Sequence, residues 1–191
     1  MALQLRKRWG RLKRKLLGSE RGHVPVLSEA VSGVLANVRR PVLLETGSIR
    51  SLDEGTESTL TIARLVQDRG AFYSFELRPE HIAVSRELCG EFDRFVTYVE
   101  GDSVANLQRL VADGTLARVD FAFLDSANDG DHTFRALQAI ENALMPGSVL
   151  VCDDVLWADK GRVLVPYIEQ SPDWESRIHR VENGMMVARR L

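Results

Sequence analysis

The sequence predicts an α/β domain built on a doubly wound, mostly parallel sheet, and three observations carry that prediction. Strand-like apolar runs and helical patterns alternate five times from Val42 onward, joined by short links. Repeated strand-helix units of this kind give parallel strands with helices on both faces. In the first unit, Val42-Leu43-Leu44 runs into Glu45-Thr46-Gly47, and a second glycine, Gly55, precedes Ser58-Thr59 and a helical pattern. Strand, glycine turn and helix in that order aim backbone N–H groups at a ligand beyond the carboxyl ends of the strands. Near the end of the chain, Glu182-Asn183-Gly184 separates two strand-like runs, and Asn-Gly in that setting is a strong hairpin signal. The expected sheet has seven strands, with an antiparallel last strand lying between neighbours.

Composition agrees with a globular domain. At 191 residues the chain can bury a full core without staples, 45% hydrophobic and 27% charged residues are ordinary values, and no apolar run approaches the length of a bilayer span. Cys89 and Cys152 form no CxxC pair and fall inside expected regular elements. A disulfide framework or zinc site is therefore not expected, and a reduced cytoplasmic setting is.

The net charge of −2 hides an asymmetry: seven of the 25 basic residues lie in the first 15 positions, which hold no acid, leaving 18 to face all 27 acids. Within this arm Leu5, Trp9, Leu12 and Leu16 share one helical face, so residues 1–20 read as a basic amphipathic helix. Such a helix suits an anionic membrane surface, nucleic acid, a partner subunit or the acidic body of its own domain. It lacks the apolar stretch of a signal peptide.

Gly22 and Pro25 mark a break, after which Leu27, Val31, Val34 and Val38 predict a helix ending near Arg39-Arg40-Pro41. Beyond the first unit, Ala71–Glu76 reads as the second strand, and Pro79 opens a helix running to about Cys89-Gly90. Residues 95–99 form the expected third strand. Asp102 then caps a helix carrying Val104, Leu107, Leu110 and Val111, which Asp113-Gly114 ends. Val119–Leu124 is the fourth strand, and the next helix carries Phe134, Leu137, Ile140 and Leu144 on one face. Pro146-Gly147 turns the chain into a fifth strand at 148–152, a helix covers 161–170 around Pro166, and the hairpin strands are 174–181 and 185–188.

Acidic residues fall at or just past the carboxyl ends of successive strands: Glu45, Glu76, Asp102, Asp125, Asp153 and Asp154. That edge is where ligands bind in an open α/β sheet. Glu76 is placed to accept from both hydroxyls of a ribose, its plainer role being that of an acid before a helix. Asp102 could accept from an adenine amine, cap a helix, or do both. Asp125, Asp153 and Asp154 end adjacent strands, and three carboxylates that close need protons or a cation; oxygen ligands of this kind select a hard ion such as Mg²⁺. The rival role for Asp153 or Asp154 is capping a turn.

Taken in order, residues 41–191 resemble a class I S-adenosylmethionine-dependent methyltransferase. The match is closest in Asp120-Phe-Ala-Phe-Leu-Asp125, Leu144-Met-Pro-Gly147 and Val151-Cys-Asp-Asp-Val-Leu-Trp157, which are similar to the metal-dependent catechol and caffeoyl-CoA O-methyltransferases. The loop Asp125-Ser-Ala-Asn-Asp-Gly-Asp-His132 also resembles a broader group of small methyltransferases that need not share the metal. The resemblance implies a Rossmann-like domain over 21–191. It also implies S-adenosylmethionine as cofactor: Glu45, Gly47, Gly55 and Ser58 at the methionine end, Glu76 on the ribose, Asp102 and Ser103 at the adenine, and Asp125 nearby. It further implies Mg²⁺ held by Asp125, Asp153 and Asp154, and methyl transfer to a small-molecule hydroxyl.

Three departures stand out. The glycine turn is longer than the family's, so Gly55 matches only with an insertion around 49–54, and Glu57 stands where Gly is usual. Asp154 takes an Asn position. Asn128 replaces a Lys that catechol-type enzymes carry three residues after the strand-four Asp. His132 is the base expected in its place, its plainer role being a helix cap or a solvent-facing residue. Alternative functions are a non-catalytic methyltransferase-like binding or assembly module and, lower, a nicotinamide-dependent dehydrogenase, whose compact Gly-x-Gly-x-x-Gly is absent. Expected partners are the hydroxyl acceptor, an anionic surface or partner for the arm, and, as an open alternative, a second copy in a homodimer.

Overall fold

The computed structural model describes residues 22–51, 57–157 and 159–191. The basic arm and Gly55 lie outside the described residues.

A seven-stranded sheet organises the domain, in the order β3-β2-β1-β4-β5-β7-β6. Its strands are β1 (Val42–Thr46), β2 (Ala71–Glu76), β3 (Thr97–Glu100), β4 (Val119–Leu124), β5 (Leu144–Cys152), β6 (Trp174–His179) and β7 (Met185–Arg190). The first five pair in parallel, while β7 runs antiparallel to both β5 and β6 and lies between them. This is the topology expected from five strand-helix units and a terminal hairpin.

Among the described residues six helices cover the sheet: α1 (His23–Asn37), α2 (Ser58–Val66), α3 (Pro79–Cys89), α4 (Ser103–Ala112), α5 (Gly130–Ile140) and α6 (Asp159–Glu169). Successive strand residues point to opposite faces, and the core divides accordingly. Leu43, Phe121, Phe123 and Val151 pack with Val26, Leu27 and Val31 of α1, and with Ile62 and Val66 of α2. Leu44, Ala122, Leu124, Leu150 and Cys152 pack with Leu107, Leu137, Ile140, Leu164 and Ile168 of α4, α5 and α6. Among the described residues no helix is long and apolar enough to cross a membrane.

Several boundaries differ from expectation. Residues 90–95 form a 3-10 helix closed by the Val96 N–H donating to Asp93 O at 2.9 Å, so β3 begins only at Thr97. Leu144 is not on the α5 face: a 3-10 turn at Glu141–Ala143 ends the helical run, and Leu144 opens β5 opposite Val119. Extension resumes in register from Val149 opposite Phe121, with the Pro146-Gly147 segment forming the irregularity. The hairpin also shifts, β6 stopping at His179 and β7 continuing to Arg190. The Arg190 guanidinium lies over the Trp174 ring, 5.1 Å from its centroid, which ties the end of β7 to the start of β6.

Candidate active site

The strand order reverses between β1 and β4, the point at which an open α/β sheet leaves a crevice. Here the chain is close to its steric limit. Gly47 has φ +86°, and a Cβ on it would lie 2.7 Å from the carbonyl oxygen of Asp125. The Asp125 N–H donates to Thr46 O at 3.0 Å and the Gly47 N–H to Phe75 O at 2.8 Å, locking three strand ends together. A glycine turn and an aspartate that look unrelated in sequence are therefore in backbone contact.

Glu45 lies beneath this crevice with no solvent exposure. Its Oε1 accepts from the hydroxyls of Thr59, at 2.5 Å, and Ser74, at 2.7 Å, whereas Oε2 is buried with no hydrogen-bond partner among the described residues. Burial pushes its carboxyl up to about 7, more than the hydroxyls of Thr59, Ser74 and Ser58 pull it down. Thr59 also accepts from the Ile49 N–H at 2.9 Å, tying the turn to the helix start.

Glu76, at the end of β2, is crowded with donors. Its Oε2 accepts from the Ser48 N–H at 3.1 Å and hydroxyl at 3.2 Å. Its Oε1 accepts from the Arg78 N–H at 3.1 Å and lies 3.2 Å from His81 Nδ1. Burial alone would raise this carboxyl; the Arg78 and Ser48 N–H groups and His81 outweigh it and hold it below the usual carboxylate range. At the end of β3, Asp102 takes its capping role, accepting from the Ala105 N–H at 2.8 Å. Ser103 Oγ is 3.1 Å from His132 Nε2, which links the starts of α4 and α5. The cap of α5 is Asp129, which accepts from the His132 N–H at 3.0 Å, so His132 sits just inside the helix rather than capping it.

Asp125, Asp153 and Asp154 do converge: one oxygen from each lies within 4.8 Å of the others. Each has a built-in partner. Lys160, with no solvent exposure, has its Nζ 3.0 Å from Asp125 Oδ1 and 3.8 Å from Asp154 Oδ2. Asp153 Oδ1 accepts from the Asp154 N–H at 2.8 Å, and its Oδ2 lies 3.1 Å from His23 Nδ1. Asp154, held at φ 59°, accepts on Oδ1 from the Asn183 side-chain amide at 2.9 Å. The tip of the β6-β7 hairpin props this loop further, since Asn183 O and Gly184 O accept from the N–H groups of Leu156 and Val155.

Electrostatics follow from that crowding. Burial pushes the Asp125 carboxyl up to about 6, with Asp153 and Asp154 adding to the rise and Lys160 opposing it. Its side chain is 27% exposed at the rim, so the rise reflects the protein packed beneath it. Burial would lower Lys160, but the charge of Asp125 overcomes this and its pKa rises. The same contest, between burial and the Asp153 carboxylate, raises His23.

Lys160 and His23 were not among the residues expected from sequence. One signal marks both. Lys160, Leu164 and Ile168 follow at intervals of four, as do His23, Leu27 and Val31, which puts each titratable residue in line with a buried apolar stripe. A hollow lined by Val38, Arg39, Arg40 and Arg118 opens at the opposite, amino edge of the sheet and has no part in this cluster.

Comparison with known proteins gives the same picture. The profile of a family described as a methyltransferase domain matches residues 55–155, more than half of the chain. An O-methyltransferase from Bacillus cereus, solved in complex with SAH, superposes with a TM-score of 0.66 at 18% identity, covering 87% of this chain and 81% of its own. The O-methyltransferase TomG from Streptomyces achromogenes, involved in tomaymycin synthesis and solved with SAM, gives 0.66 at 18%, covering 87% and 79%. A methyltransferase from Geobacter sulfurreducens gives 0.66 at 16%, covering 95% and 85%. With the matched profile, the reversal at β1 and β4 and the antiparallel β7, the chain belongs to the methyltransferase-domain family of class I S-adenosylmethionine-dependent methyltransferases.

Proposed function

We propose that this chain transfers the methyl group of S-adenosylmethionine to a hydroxyl of a small molecule. The observation that carries the reading is the crevice at the reversal of strand order, where the Gly47 turn meets Asp125 and the acids of β1, β2 and β4 line one edge.

The chain's residues fit the cofactor on three observations. The turn at Gly47 is a cradle that a Cβ would fill, Glu45 Oε2 is a buried acceptor without a donor among the described residues, and Glu76 holds an ionised carboxylate at the strand end that in such folds faces a ribose diol. In this reading Glu45, Gly47 and Ser58 line the methionine end, Glu76 accepts from the ribose, Asp102 and Ser103 border the adenine, and Asp125 stands by the transferred group. When bound, S-adenosylmethionine supplies a methyl group activated by a sulfonium. The protein's part is to align the acceptor oxygen with that methyl and to take the acceptor's proton. Asp125, pushed up to about 6, is near the range where a carboxylate accepts a proton at neutral pH. His132, tethered to Ser103, is the second candidate base.

A divalent ion fits the donor types but not the charge already in place. Asp125, Asp153 and Asp154 offer the oxygens that a hard cation requires, yet the Lys160 ammonium is within ion-pair distance of two of them.

The test is a methyl-acceptor screen with labelled S-adenosylmethionine against phenols, catechols and aliphatic alcohols, run with wild type and Asp125→Asn. Label transferred to an oxygen, and lost in the variant, is expected. Cofactor binding with no acceptor turned over would favour the binding-module alternative.

A further inference from the structure

We propose that Lys160 is the resident cation of the acidic cluster: its ammonium takes the neutralising place of a divalent ion, and the site works without one. The inference rests on the reading of Asp125 as part of the reacting site, and goes beyond it by naming what holds that carboxylate.

Three close carboxylates cannot all ionise unless positive charge is supplied. Here the Lys160 ammonium supplies it, and an imidazole lies beside the third acid. Lys160 reaches Asp125 at 3.0 Å and Asp154 at 3.8 Å from the first turn of α6, and His23 reaches Asp153 at 3.1 Å from the first turn of α1. A lysine with no solvent exposure is rare unless paired, and its pairing partners are two of the three oxygen donors.

The ammonium is also held in place. A Cβ on the next residue, Gly161, would overlap the carbonyl oxygen of Val155, so the start of α6 is in backbone contact with the loop that carries Asp153 and Asp154. The backbone that carries Lys160 is thus fixed against that loop, and its side chain is enclosed with no solvent exposure. An ion binding the carboxylates of Asp125 and Asp154 at about 2.0–2.1 Å would lie beside the ammonium that already pairs with both, bringing two cations together. Breaking the existing pair would leave the lysine buried and uncompensated.

Lys160 is thus a positioning residue: it acts through Asp125, holding that carboxylate by one oxygen at the rim of the crevice. The ion it replaces is a divalent cation of the Mg²⁺ or Mn²⁺ class.

Mn²⁺ titration followed by electron paramagnetic resonance tests this without turnover, so it does not depend on an acceptor being found. With the full chain, wild type should leave the free Mn²⁺ signal undiminished, with or without SAH. Lys160→Met should remove one Mn²⁺ per chain from that signal, and adding Asp125→Asn to it should abolish the uptake. Methyl transfer by wild type should be insensitive to EDTA, while that of Lys160→Met should become dependent on added Mn²⁺. Uptake of one Mn²⁺ by wild type that Asp125→Asn abolishes would overturn the proposal, as would a folded Lys160→Met that takes up none. If Lys160→Met does not fold, the wild-type titration decides alone: no uptake supports the resident ammonium, and Asp125-dependent uptake overturns it.

Discussion

Ser48 gives both its backbone N–H and its hydroxyl to the same oxygen of Glu76, at 3.1 and 3.2 Å. The other oxygen is engaged by the Arg78 N–H and by His81. An ionised carboxylate offers about four acceptor positions, so Glu76 is saturated before any ligand arrives. On the proposed reading, a ribose diol bound by Glu76 would displace the two side-chain partners, whereas the two backbone donors could stay and keep the acid ionised.

Glu76→Ala should therefore weaken S-adenosylmethionine binding by about 1.5–3 kcal/mol for each charged hydrogen bond lost, less than additively. Ser48→Ala, which removes a competing hydroxyl but keeps the N–H, should leave affinity unchanged or slightly improved. Calorimetric titration of the two variants distinguishes these outcomes, and an unaltered Kd in Glu76→Ala would refute the ribose assignment.

Gly47→Ala should be destabilising on two counts. At φ +86° a side chain is in the left-handed region, which costs roughly 1–2 kcal/mol for an ordinary residue. Its Cβ would also approach the Asp125 carbonyl to 2.7 Å, and because that oxygen is backbone it cannot rotate aside. We expect a lowered denaturant midpoint together with loss of cofactor binding, since β1 and β4 must separate to relieve the clash. Wild-type stability in this variant would show that the turn has room to shift.

Most of the fold was legible because each strand-helix unit states itself locally. Ala71–Glu76 and Val119–Leu124 are the strands expected from their apolar runs, and Asn183-Gly184 marks the hairpin. Leu144 misled because it continues the spacing of Leu137 and Ile140, and only its pairing with Val119 shows that the helix has already ended. The carboxylates were legible for the same local reason, being the residues that follow strands. Their partners were not. His23 and Lys160 come from helices outside the strand-end motifs they neutralise, and the Asn183 contact to Asp154 requires the hairpin to fold back on β5. Sequence position shows which acids reach the edge, but it does not show what meets them there.

His132→Gln separates two roles for the tethered imidazole. Its Nε2 lies 3.1 Å from Ser103 Oγ, and a glutamine amide can retain a hydrogen bond there but cannot take a proton. If His132 is the base, kcat should fall by roughly 10²–10⁴ and the acidic limb of the pH-rate profile should change. A kcat within a few-fold of wild type, with KM for S-adenosylmethionine raised in His132→Ala, would assign the ring to holding Ser103 at the cofactor and leave proton removal to Asp125.

Glu45 should make the unliganded protein less stable as pH rises. Its carboxyl titrates at about 7 in the fold against an ordinary 4.5, so between those values the native state keeps a proton that the unfolded chain has released. Stability then declines with increasing pH across that window and levels off above it. A shift of that size corresponds to about 3 kcal/mol in total, and Asp125, raised to about 6, acts in the same direction. Glu45→Gln keeps an oxygen for Thr59 and Ser74 and removes the titration, so its unfolding free energy should vary less with pH and should exceed that of wild type on the alkaline side. Cofactor binding gives an independent check. A donor reaching the unpartnered Oε2 would favour the ionised form, so binding near neutral pH should release protons from wild type and fewer from Glu45→Gln. Calorimetry in buffers of different ionisation enthalpy measures that release, and equal proton counts for the two proteins would show that Glu45 does not meet the cofactor.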